Sequence, residues 1–200
     1  MTNFTTDWFS YAIPNFQAIT KLLGPVPRVL EIGVFQGRST CWILENMLAD
    51  NGTMIAVDPF IDEEIDAFDS ESVTVSPHYN QERLDLWRAN TQEVIRSGQT
   101  LDLRLGRSYR ELARLITENQ SFDFIYVDGN HAAATVLSDA CVCFGMLRIG
   151  GIMLFDDYLW DHTPDWLARP KMSIDSFVNM FQPLGQQIIS NYQLAIQRIR

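Results

Sequence analysis

The run VLEIGVFQGRST (residues 29–40) constrains this chain more than any other. Val29, Leu30, Ile32 and Val34 surround one acid, Glu31, and read as a buried strand. Gly33 and Gly37 then turn the chain, and Arg38-Ser39-Thr40 opens a helix. A strand, a glycine turn and a helix make the ligand crevice of doubly wound α/β proteins. The spacing is G-x-x-x-G and not the G-x-G-x-x-G of dinucleotide binders, and bulky Phe35 and Gln36 hinder close approach to a pyrophosphate. Glu31 beside the turn repels phosphate but suits a cationic ligand such as a sulfonium.

The rest of the chain repeats the same alternation. Strands are predicted at Arg28–Gly33, Thr53–Asp58, Thr100–Leu105, Phe122–Asp128 and Gly151–Asp156. Helices are predicted at Arg38–Ala49, Gln81–Arg96, Tyr109–Glu118 and Ala133–Leu147, with turns at Asn51-Gly52, Ser97-Gly98 and Gly150-Gly151. Alternation of this kind implies parallel strands joined by right-handed crossovers. The ending departs from it. After a helix near Ile174–Phe181, the runs Gln187–Ser190 and Gln193–Ile199 flank only Asn191 and Tyr192, so they must pair antiparallel. The whole chain, 1–200, reads as a single domain: an N-terminal helical segment over 1–25, then a core over 26–200. The apolar residues of the first segment (Trp8, Phe9, Tyr11, Ile13, Phe16, Ile19, Leu22 and Leu23) form a helical face packed on the sheet, and such segments also wall substrate pockets. Burial within one chain and a homo-oligomer surface both account for the aromatic residues among them. The acidic stretch Ile61–Asn80 reads as a flexible loop over the site.

A net charge of -10 argues against a nucleic-acid or anionic-membrane surface. No apolar run approaches the ~20 residues that span a bilayer, and no secretory signal is visible at Met1–Ser10. The three cysteines (Cys41, Cys141, Cys143) sit in apolar helical stretches and read as reduced packing residues of a cytoplasmic protein.

Three groups of residues carry chemistry. Asp58 ends the second strand within AVDPF, where a carboxylate can accept two hydrogen bonds from a ribose diol, with Phe60 placed to pack on an adenosine. Ser108, after the third strand, is expected to cap the next helix, with Glu111 completing a capping box. The runs FDFIYVDGNH (122–131) and GGIMLFDDY (151–158) put Asp128, Asp156 and Asp157 at two strand ends. If those strands are neighbours, three like charges converge and call for a neutralising cation, most simply Mg²⁺. The other reading, that the acids cap helices or hold loops, accounts for one aspartate more easily than for all three. His131, three residues after Asp128, suits a general base because imidazole titrates at ~6.5; Asn130 is the alternative for orienting a substrate. Trp160, His162 and Trp166, in the loop at 158–166, either wall an acceptor or only pack the loop.

These segments resemble the class I S-adenosylmethionine-dependent methyltransferases, and within them the metal-dependent O-methyltransferase group. The resemblance runs from about Val29 to Arg200. The E-I-G-x-x-x-G turn, with Glu31, Gly33, Gly37 and Ser39, resembles that of catechol O-methyltransferase, and Asp128, Asp156 and Asp157 match its metal ligands, with Asp replacing Asn at the last. His131 stands where that enzyme has its catalytic lysine. The D-x-x-H of Asp128 and His131, with the DDY of Asp156–Tyr158, is closer to the macrocin and mycinamicin type and to a related branch of the class. The resemblance implies a mostly parallel seven-stranded Rossmann-like sheet with a C-terminal antiparallel hairpin. It also implies S-adenosylmethionine held by Glu31, Gly33, Gly37, Ser39, Asp58, Phe60, Ser108 and Asp128, Mg²⁺ on the three aspartates, His131 as base and a small hydroxylated acceptor. Three other readings share this fold: a methyltransferase that needs no metal, a nicotinamide-dependent dehydrogenase (disfavoured by the G-x-x-x-G turn), and a binding module without turnover.

Overall fold

Within each central strand, successive side chains face opposite sides of the sheet, and both sides are apolar. Leu30 and Ile32 of one strand, with Ile125 and Val127 of the next, enter one core; Val29, Phe124 and Tyr126 enter the other. A sheet apolar on both faces must be covered on both faces, which is the layering of doubly wound proteins. The computed structural model describes residues 1–61 and 80–200; the stretch Ile61–Asn80, apart from its two end residues, lies outside them. Among the described residues seven strands form one sheet: β1 (Val26–Ile32), β2 (Leu48–Asp58), β3 (Thr100–Leu105), β4 (Phe122–Val127), β5 (Leu147–Phe155), β6 (Gly185–Ser190) and β7 (Leu194–Arg198), in the order β3-β2-β1-β4-β5-β7-β6. Strands β1 to β5 run parallel, and β7 is antiparallel to both β5 and β6. The expected fold, hairpin included, is the observed one.

The helices divide between the faces. Helices α4 (Ser108–Thr117), α5 (Ala133–Met146) and α6 (Lys171–Phe181) bring Leu112, Leu115, Val136, Phe144 and Phe177 to the first core. Helices α1 (Ile13–Leu23) and α2 (Arg38–Asn46) bring Phe16, Ile19, Ile43 and Leu44 to the second. Helix α3 (Gln81–Val94) seats Leu84 and Trp87 on Val34, Ala56 and Phe60. The N-terminal aromatics are divided: Phe9 and Phe16 are buried, while Trp8, Tyr11 and Leu22 stay exposed.

Two expected turns are absent as such. Asn51-Gly52 and Gly150-Gly151 lie inside β2 and β5, at places where the pairing slips: Val26 pairs with Leu48 but Arg28 with Thr53, and Phe122 with Leu147 but Phe124 with Ile152. The strands continue through these irregularities because glycine tolerates the crowding. A side chain on Gly151 would meet the Arg148 and Asp123 carbonyl oxygens, each 2.9 Å from its Cβ. The strands consequently begin earlier than expected, and α2 ends at Asn46 instead of Ala49.

Phe16 is fully buried and meets the rings of Phe9, Trp42, Phe124 and Tyr126 at centroid distances of 4.9–5.7 Å. Phe16→Ala is expected to cost about 3–5 kcal/mol of unfolding free energy, measured by urea denaturation.

Candidate active site

The strand order reverses direction between β1 and β4, and a cavity of about 750 Å³ opens there, at the carboxyl ends of the strands. Its wall includes Gly33, Ser39, Asp58, Ser108, Asp128, His131 and Asp157, so most of the expected site residues meet in one place.

The glycine turn is held by the protein around it. Gly33 has φ +81°, and a Cβ there would lie 1.9 Å from the Asp128 carbonyl oxygen. Gly37 (φ +84°) precedes the first residue of α2, and a Cβ on it would meet Trp87 at 2.8 Å. Asp58, 8% exposed, accepts the Val34 N–H at 2.9 Å through one oxygen and the Phe60 N–H at 2.6 Å through the other. Burial raises its pKa against the pull of those N–H groups. The Phe35 N–H also reaches the first of these oxygens at 3.4 Å, so it is the oxygen facing Phe60 that keeps a second acceptor direction.

Three expectations are corrected. Glu31 is fully buried and absent from the cavity wall, because the Ser39 hydroxyl and the Thr40 hydroxyl (2.5 Å) both donate to its carboxylate. It fastens β1 to the first turn of α2. Phe60 is also fully buried and packs edge-on to Trp87 at 6.3 Å, which leaves Pro59 and Ile61 on the wall. Ser108 is not the cap of α4: it is the first helical residue, the capping position is Arg107, and no side chain caps there. Glu111 pairs with Arg114 at 2.6 Å rather than closing a box.

Strands β4 and β5 are neighbours, so the aspartates do converge. Asp156 Oδ1 accepts the Tyr11 hydroxyl at 2.5 Å and the Asp157 N–H at 2.7 Å, and Oδ2 accepts the Tyr126 hydroxyl. Tyr126 also reaches Asp128 at 3.1 Å. Burial first, then the neighbouring carboxylates, push Asp128 well above the ordinary carboxylate range; burial and Asp157 raise Asp156. The same negative surroundings, after burial, hold the protons on Tyr11, Tyr126 and Tyr192. Asp157, at φ +54°, places Oδ2 2.8 Å from His131 Nε2. The His131 ring stacks on Trp160 at 4.4 Å, and His162 meets Trp160 edge-on at 5.5 Å. Trp160 and His162 therefore wall the cavity, whereas Trp166 is exposed and outside it. Among the described residues no three His, Cys, Asp or Glu side chains are grouped to hold a metal ion.

The sequence reading missed Tyr11 and Tyr126 as site residues. Tyr126 was legible in principle: two residues before Asp128 on a strand, it faces the same side. No local signal marks Tyr11, which reaches Asp156 from 145 positions away.

The model of a family described as a methyltransferase domain matches residues 30–158. Among solved structures, the chain is similar to an O-methyltransferase from Bacillus cereus in complex with SAH (16% identity, TM-score 0.66, 97% of this chain and 84% of that one). It is also similar to the O-methyltransferase TomG from Streptomyces achromogenes, involved in tomaymycin synthesis and solved with SAM (15%, 0.65, 97% and 82%). A third likeness is to MycE methyltransferase of the mycinamycin biosynthetic pathway, solved with Mg and SAH (15%, 0.62, 98% and 51%). At these identities the likeness is one of fold. No curated protein matches the chain in sequence.

Burial raises Glu31 to about 7 from an ordinary 4.5, against the two hydroxyls that lower it. A carboxyl whose pKa is raised by folding adds stability below about pH 4.5 and loses it as pH rises through about 7. Glu31→Gln removes that loss. Relative to the parent, its unfolding free energy is expected to improve by on the order of 3 kcal/mol between pH 5 and pH 8, measured by chemical denaturation at each pH.

Proposed function

We propose, for a chain that belongs to the methyltransferase-domain family, that it transfers a methyl group from S-adenosylmethionine to the hydroxyl of a small acceptor, with His131 as the base. The observation that carries this reading is the His131–Asp157 pair, at 2.8 Å, on the wall of the cavity that also holds the glycine turn and Asp58.

The cavity suits the cofactor on its own geometry. The turn residues Gly33, Val34, Phe35 and Gln36 line the cavity, and Asp58 offers a buried, N–H-braced carboxylate to a ribose diol. Ser39, Ser108 and Asp128 complete the same wall. Acidic surroundings favour a sulfonium over a phosphate ligand. When bound, S-adenosylmethionine supplies a methyl group on positively charged sulfur. A carboxylate only accepts hydrogen bonds, so Asp157 keeps the imidazole proton on Nε2 and leaves the Nδ1 lone pair to take the acceptor's hydroxyl proton. Trp160 stacked on the ring limits its rotation. The acceptor oxygen then needs to lie in line with the methyl carbon, so positioning carries much of the rate.

The Mg²⁺ expected from the resemblance does not fit the aspartates as they are arranged. Asp156 is hydrogen-bonded at both oxygens by Tyr11 and Tyr126, and Asp157 is joined to His131. Hydroxyl donors, not a cation, face both Asp156 oxygens, and this reading has no metal step. The acceptor faces an aromatic wall of Trp160, His162 and Tyr192. Among the described residues no helix is long and apolar enough to cross a membrane, and a cytoplasmic enzyme on a small-molecule acceptor is part of the proposal.

Calorimetric titration with S-adenosylmethionine tests the premise. Binding is expected, and its absence would remove the reading. His131→Gln should bind the cofactor as the parent does while S-adenosylhomocysteine formation, screened over small hydroxylated acceptors, falls about 10²–10⁴-fold. Turnover should survive EDTA; loss of turnover that Mg²⁺ restores would return the aspartates to the role of metal ligands.

A further inference from the structure

We propose that Tyr11 is a positioning residue, delivered by the N-terminal segment, that holds the His131–Asp157 pair in its working arrangement through Asp156. The inference rests on the reading of His131 as the base.

Tyr11 lies in a 3-10 turn over Ser10–Ala12. The turn is built to aim it. Asp7 accepts the Ser10 N–H at 3.0 Å and the Ser10 hydroxyl at 2.6 Å, and Phe9 and Ala12 on either side are buried. The Tyr11 ring, 46% exposed, stands on the cavity wall edge-on to Tyr192 at 5.2 Å. Its hydroxyl donates to Asp156 Oδ1, the oxygen that also accepts the Asp157 N–H.

That shared oxygen is what makes the contact consequential. Asp157 is a non-glycine residue in the left-handed region, a conformation that persists only when its surroundings enforce it. The bond from its own N–H to Asp156 is one enforcement, and the Trp160 N–H on the Asp157 carbonyl at 2.9 Å is the other. With the backbone so held, the Asp157 carboxylate meets His131, and the tryptophan fixed by the same turn stacks on the ring. Tyr126 grips the opposite oxygen of Asp156 from β4. Tyr11 supplies the second grip, and without it the carboxylate is free to turn about Oδ2 and release the Asp157 N–H.

A purely structural role for Tyr11 would lower stability and leave the imidazole unchanged. The test therefore reads the ring nitrogens of His131 by long-range ¹H–¹⁵N correlation, on the full chain at about pH 9, well above the ~6.5 of ordinary imidazole. His131→Gln identifies the signal among the three histidines. In the parent the two nitrogens should be widely separated in shift, with the proton on Nε2. In Tyr11→Phe, and in Tyr11→Met at this half-exposed site, the two shifts should converge as tautomers exchange. Ser10→Ala loosens the same turn but keeps the hydroxyl, and it should retain the parental spectrum. Widely separated shifts in both Tyr11 variants would overturn the proposal, as would converged shifts in the parent. Cofactor titration of the same samples separates the two ideas. A parent that binds no S-adenosylmethionine sinks the functional reading, while the tautomer shift still decides whether Tyr11 governs His131.

Discussion

The crevice exists because β1 and β4 lie side by side while β2 and β5 lead away in opposite directions. At that switch point the two strand ends come so near that only a glycine fits: a Cβ on Gly33 would overlap the Asp128 carbonyl. Backbone bonds level β1 with both neighbours, from the Gly33 N–H to the Val57 carbonyl of β2 at 2.9 Å and from the Asp128 N–H after β4 to the Ile32 carbonyl at 2.8 Å. The turn, the Asp58 carboxylate and the aspartates of β4 and β5 are then brought to one rim by register alone. Gly33 thus serves the protein's own packing before it serves any ligand.

Crowded acids at that rim pose an electrostatic problem, since each ionised carboxylate raises the cost of the next. The structure answers with hydroxyl donors. Tyr126 stands between Asp128 and Asp156, Tyr11 closes on Asp156 from outside the sheet, and burial together with the nearby charges keeps both phenols protonated. Asp157 alone of the three is joined to an imidazole. Hydrogen bonds to charged groups are the stronger ones, so this cluster also stiffens the floor on which His131 stands.

The N-terminal segment belongs to the site as much as to the core. Behind Tyr11 it is laid over the glycine turn by side-chain clasps: Asn90 accepts the Asn3 N–H and donates to the Asn3 carbonyl, and Gln36 does the same for the Thr5 N–H and hydroxyl oxygen. Arg38 donates to the Thr6 carbonyl and lies over the Phe4 ring, while Trp8 packs on Phe35. Amide clasps satisfy backbone groups that have no strand to pair with. Held by the turn and by α3, the N-terminal segment lines the cavity with Phe4, Trp8 and Tyr11.

How far the sequence was legible follows from the range of the forces involved. Alternating and helical periodicity, glycine turns and a two-residue hairpin connection are set within a few neighbours, and they specified the sheet, its helices and the antiparallel ending. Acids at strand ends were legible for the same reason, since strand termini mark the rim in any parallel sheet. Side-chain direction was not: Glu31 and Phe60 turn inward because Ser39, Thr40 and Trp87 arrive from other elements to receive them. Glycines read as turns became irregularities within strands because pairing with β1 and β4 carried the strands through them. The sequence by itself determined the layering and where a site would lie. Only the tertiary structure decided which oxygens are free and which are taken, because a hydrogen bond such as Tyr11 to Asp156 depends on distance in space, and 145 residues of chain separate its partners.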